Sequence, residues 1–90
     1  MKFMVSWSLP HDTFVPTVTN FLKGGGAPPA GVNMIGRWHG MSGEGVAIVE
    51  TDDAKALYEW IAEWSQYIPL QTTPVVEDAD AGAVLGAMYG

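Results

Sequence analysis

The sequence predicts an α+β fold with four strands and two main helices in the order β-α-β-β-α-β, followed by a shorter helix. Three observations carry this. Period-two alternation marks the first strand, helical spacing of apolar residues marks both long helices, and a short glycine-containing segment joins the two middle strands. Ninety residues form one domain, residues 1–90, with room for only a limited core.

Phe3, Val5, Trp7 and Leu9 share one face of the first strand, while Met4, Ser6 and Ser8 share the other. Pro10 ends it. Asp12 or Thr13 is placed to cap a helix with the apolar stripe Phe14, Val18, Phe21 and Leu22, and Pro16 falls harmlessly in its first turn. Gly24 offers a left-handed stop, and residues 24–31 read as a loop. Val32 to His39 and Gly45 to Thr51 are the second and third strands, joined by a hairpin through Gly40 and Gly43. Asp52 and Asp53 open the strongest helix, with Ala54, Leu57, Tyr58, Ile61 and Trp64 at helical spacing and Trp60 widening the stripe. Leu70 to Val76 is a fourth strand, and Pro74 sends it to an edge or a bulge. Glu77 to Met88 is a helix diluted by Gly82 and Gly86.

Right-handed crossovers turn this order into a ferredoxin-like antiparallel sheet with both main helices on one face. The other face then lies open. Met4 is on it, and the third strand is apolar on both sides, through Val46 and Ile48 as well as Ala47 and Val49. A strand apolar on both sides requires cover on both sides, and a second copy of the chain is the expected cover.

The chain is 48% apolar and only 16% charged, with a net charge of −6. Lys2, Lys23, Lys55 and Arg37 are scattered, so the sequence argues against nucleic acid and against anionic lipid as partners. Nine of the ten acids fall after residue 41, which reads as a solvated half. Having no cysteine, the chain excludes disulfides, thiolate catalysis and cysteine metal sites, and suits a cytoplasmic setting. Neither a signal peptide nor an apolar run of about 20 residues is visible.

Four segments carry a resemblance. They are Lys2-Phe3-Met4-Val5-Ser6-Trp7-Ser8, Gly36-Arg37-Trp38-His39-Gly40, Leu57 to Trp64, and Thr73-Pro74-Val75-Val76-Glu77-Asp78. Together they resemble a small family catalogued as a domain of unknown function, number thirty-three-oh-three. More distantly, the element order is similar to that of the dimeric α+β barrel superfamily, which includes small cofactor-independent monooxygenases. That resemblance implies two sheets packed face to face in a homodimer, often with a small-molecule pocket in each subunit. It transfers no catalytic residue.

Among the residues themselves, Arg37 and His39 stand out. Two apart on a strand, they project from one face about 6.5 Å apart, with Trp38 pointing away. A fixed cation beside a titrating imidazole suits an enolate, phenolate or carboxylate, with His39 as candidate acid or base. The competing structural reading pairs Arg37 with an acid and places His39 at a hairpin end or dimer seam. Trp7, Tyr58, Trp60 and Trp64 are candidate walls for a planar ligand, or else core packing. His11-Asp12 reads as a helix cap, no spacing supports a metal site, and the Gly24-Gly25-Gly26 run lacks the context of a phosphate loop. The functional expectation is therefore a homodimer binding a small, partly aromatic or acidic molecule without a cofactor. The alternatives are a cofactor-independent oxygenase or isomerase using His39, and a structural or interaction module.

Overall fold

A computed structural model describes residues 1–90. The chain runs β1 (Lys2–Ser8), α1 (Phe14–Gly24), β2 (Asn33–His39), β3 (Glu44–Glu50), α2 (Ala54–Ser65), β4 (Leu70–Val75) and α3 (Asp78–Tyr89). The four strands form one antiparallel sheet in the order β2-β3-β1-β4. β4 is an edge strand, so the missing N–H of Pro74 removes no ladder bond to a further strand.

Register determines which side chains meet. Val5 stands between Ala47 of β3 and Thr72 of β4, and Phe3 between Val49 and Pro74. Val5, Ala47 and Val49 are buried, so this is the covered face. Leu57 and Trp60 of α2 complete a cluster with Val5, Val32, Val49 and Ala56. The opposite face carries Met4 beside Ile48, and Trp38 beside Val46. Trp38 is 59% exposed there and lies over Gly36, where a Cβ would come within 2.6 Å of its ring.

The helix ends show where local chemistry was satisfied and where it was diverted. Asp53, one of the two acids expected to open α2, caps it, its carboxylate accepting from the Ala56 N–H at 3.0 Å. Buried Thr51 braces that corner. Its hydroxyl donates to the Gly31 carbonyl at 2.7 Å and accepts from the Asp53 N–H at 2.9 Å. Thr13 occupies the N-cap position of α1 but makes no side-chain cap bond. Pro16, three residues on, offers no N–H to a capping hydroxyl, and Thr13 at ψ 8° is outside the extended conformation that an N-cap adopts. Thr17 instead donates its hydroxyl back to the Thr13 carbonyl at 2.6 Å. The left-handed stop falls on Gly25, at φ 68°, one residue later than Gly24.

The two main helices differ in how they seat. Ala56, Leu57 and Trp60 of α2 are buried, whereas only Thr17 of α1 is, and Leu22 of its expected stripe is exposed. α1 therefore stands over the covered face without closing onto it. No residue of α3 is buried, and a Cβ at Gly82 or Gly86 would meet nothing within 4 Å. Lys2 of β1 forms an ion pair with Glu77 just before that helix. The radius of gyration is 15.2 Å, against about 12 Å for a compact chain of this length.

Asp53→Ala is expected to lower unfolding free energy by about 1 kcal/mol in urea titrations, the usual weight of an N-cap. Thr51→Val, which strands the Gly31 carbonyl and the Asp53 N–H, is expected to cost about 2 kcal/mol in the same measurement.

Candidate functional site

Because α1 stands off the sheet, the space between them remains open as a cavity of about 340 Å³. Val5 and Trp7 of β1, Arg37 and His39 of β2, Phe21 of α1 and Trp60 of α2 all line it. Buried Val5, Trp60 and Ile68 stand at one extreme of the lining and exposed Leu22 and His39 at the other, so the cavity opens beside α1 and the end of β2.

One row across the sheet builds the aromatic wall. His39 pairs with Gly45, Gly45 with Trp7, and Trp7 with Leu70. His39 and Trp7 are two strands apart, a backbone separation of about 10 Å. Gly45 lets them meet: a Cβ there would lie 2.4 Å from the Trp7 ring, so the indole crosses β3 only because that side chain is absent. The Trp7 and His39 rings are 6.2 Å apart in an edge arrangement, and Phe21 reaches the same imidazole from above at 5.5 Å, also edge-on.

Arg37 sits in the next row, opposite Ala47. Its guanidinium donates to the Gly26 carbonyl at 2.9 Å and to the Gly25 carbonyl at 2.6 Å, and lies over the Phe21 ring at 4.9 Å. These bonds cap the negative end of α1, whose last turn also holds Lys23. Gly26 suits the arrangement, with φ at 60° and no room for a Cβ, which would lie 2.8 Å from Arg37 Nη1 and 3.1 Å from Phe21. The chain's ion pairs join the α-amino group to Glu50 and Asp52, and Lys2 to Glu77, so Arg37 has no carboxylate partner. Partial burial lowers its pKa below the ordinary arginine value, the direction expected when a cation loses water without gaining an anion. It keeps its proton at neutral pH, as arginine does, and three of its five N–H donors are unused by Gly25 and Gly26.

Of the six residues singled out from sequence, the fold brings five together at the cavity: Trp7, Arg37, His39, Trp60 and Trp64. Tyr58 is corrected. It is 75% exposed and lines no part of the cavity, because on α2 it stands about 100° round the axis from Leu57, which faces the sheet. Trp38 lies on the opposite face of the sheet, as its strand position between Arg37 and His39 requires. Arg37 takes neither sequence reading whole, since it pairs with helix-end carbonyls and not with an acid. Phe21, which touches both Arg37 and His39, is read from sequence only as part of a helix stripe, and Gly26 and Gly45 only as loop and hairpin glycines. Their spacing carried no signal, because their roles depend on contacts across the sheet. No group of three or more His, Cys, Asp or Glu side chains is placed to hold a metal ion, and no helix is long and apolar enough to cross a membrane.

Gly45→Ala is expected to displace Trp7 and so free His39, with a visible change in near-ultraviolet circular dichroism. Gly26→Ala is expected to cost at least about 1–2 kcal/mol from its left-handed backbone alone, and to move the Arg37 side-chain resonances in NMR spectra.

No curated protein and no solved structure matches the chain. A family model does, over residues 1–89, under the description Domain of unknown function (DUF3303). With the whole length but its last residue aligned, the chain belongs to the DUF3303 family.

Proposed function

We propose that this protein binds a small, flat, largely apolar anion in the cavity between sheet and helices, with Arg37 meeting the charge and His39 beside it at the mouth. The observation that carries this reading is the composition of the cavity wall. Of 15 lining residues 11 are hydrophobic and none is a carboxylate, so the cation of Arg37 faces an apolar space with unused donors. Burying charge without a counter-charge is costly, and an incoming carboxylate or phenolate offsets that cost with charge-assisted hydrogen bonds. Trp7, Phe21, Trp60 and Trp64 supply faces and edges for a planar body. His39 is held by two aromatic edges, which suits a wall; its use as a base for oxygenase or isomerase chemistry is the second reading.

The working unit in this reading is a ferredoxin-like homodimer of the α+β barrel kind, and the cysteine-free chain suits the cytoplasm. The strand order β2-β3-β1-β4 with α1 and α2 over one face supports the fold assignment. Surface area supports the dimer. The chain exposes 6160 Å², roughly 1,000 Å² more than the area expected of a compact monomer of 9.7 kDa. That surplus is comparable to the roughly 800 Å² each partner contributes to a standard interface. Met4, Val46, Ile48 and Trp38 on the uncovered sheet face are its natural location.

In a titration followed by tryptophan fluorescence, naphthalene-2-carboxylate is expected to bind, and Arg37→Gln to weaken it at least tenfold. The uncharged 2-naphthamide serves as the control for an intact cavity and is expected to bind both proteins alike; equal loss for both compounds, or no binding of the acid, would overturn the anion reading. Sedimentation equilibrium at micromolar concentration is expected to return twice the chain mass, and Ile48→Glu to return a folded monomer.

A further inference from the structure

We infer that the ligand of this cavity carries, besides its anionic group, an uncharged hydrogen-bond acceptor at its buried end, received by the indole N–H of Trp60. The inference rests on the reading of the cavity as an anion site and adds what the opposite end of the molecule must be. Trp60 is 6% exposed, belongs to the core cluster with Val5 and Val49, and lines the cavity as well. Its Nε1 is buried and has no hydrogen-bond partner in the chain. Two other buried side-chain atoms, Thr13 Oγ1 and Glu50 Oε2, also lack partners, but neither residue lines this cavity, so Trp60 Nε1 is the one of the three that belongs to its wall.

An indole N–H can only donate, and folded proteins seldom bury such a donor unpaired. The lining's only side chains able to accept are Thr17, whose hydroxyl is engaged with the Thr13 carbonyl, and exposed His39, and neither bonds Trp60 Nε1. A donor on an apolar wall selects a ligand group that accepts without a charge of its own, such as a carbonyl, an ether or a ring nitrogen. A second carboxylate is disfavoured, because Arg37 is the only Lys or Arg of the lining and its guanidinium is tied to the loop at Gly25 and Gly26. Burial thus grades from exposed His39 and half-buried Arg37 to Trp60, and orients the molecule with its charge outward and its neutral acceptor inward. The class is an aromatic keto- or alkoxy-acid, held more tightly than an aryl acid that lacks the inner acceptor.

The test titrates the protein with three probes: naphthalene-2-carboxylate, its 6-acetyl derivative, and its 6-isopropenyl derivative, which has the shape of the acetyl compound without its oxygen. Desolvating a carbonyl disfavours binding unless the carbonyl finds a donor inside, so a tighter acetyl compound identifies one. The acetyl acid is expected to bind about tenfold tighter than the isopropenyl acid. That gap is expected to close in Trp60→Phe, and the Trp60 indole proton to move downfield with the acetyl acid alone. Equal affinities, or a gap that survives Trp60→Phe, overturn the inference while leaving the anion site standing. Should Trp60→Phe fail to fold, an indole proton unmoved by the acetyl acid overturns it equally. If none of the three acids binds, this inference and the anion reading fall together.

Discussion

The arrangement depends on one polar contact, the guanidinium of Arg37 held by the carbonyls of Gly25 and Gly26 over the ring of Phe21. α1 buries a single side chain, so hydrophobic packing does little to seat it. A charge-assisted bond to a helix end contributes more than a neutral one, and here it stands in for the missing contact area. The consequence is an open space.

Glycine then decides what lines that space. Trp7 crosses β3 only because residue 45 has no side chain, and the guanidinium of Arg37 lies close against Gly26, where a Cβ would crowd it and the Phe21 ring. On the other face the same device lays Trp38 over Gly36. Large rings are thereby spread flat on both sides of a small sheet without being buried in a core too small for them. The result is a protein rich in tryptophan whose most completely buried large side chains are valines, Val5 and Val49.

The unspent apolar surface has two locations with different meanings. Part of it lines the cavity, facing the guanidinium of Arg37. The rest lies outside the cavity, on the far face of the sheet and along α3, where no residue is buried. Low charge, visible at once in the composition, serves both.

Much of the fold was legible before any coordinates. The alternation of Phe3, Val5 and Trp7, the helical spacing through Leu57, Ile61 and Trp64, and Pro74 at an edge all follow from local periodicity and backbone chemistry, which a sequence states directly. That Arg37 and His39 share a face also followed, since two residues apart on a strand always do. The bulge between Met34 and Gly36 lies upstream and does not disturb them. The sequence by itself therefore determined the elements, their order, the polar pair and the surplus of apolar surface. Only the tertiary structure decided that Arg37 fastens a helix end, that Phe21 lines the cavity and Tyr58 does not, and that Trp60 buries an unpaired N–H. Each of these depends on which residue of one element lies across from which residue of another. That register is a property of the assembled sheet and helices, and local spacing does not encode it.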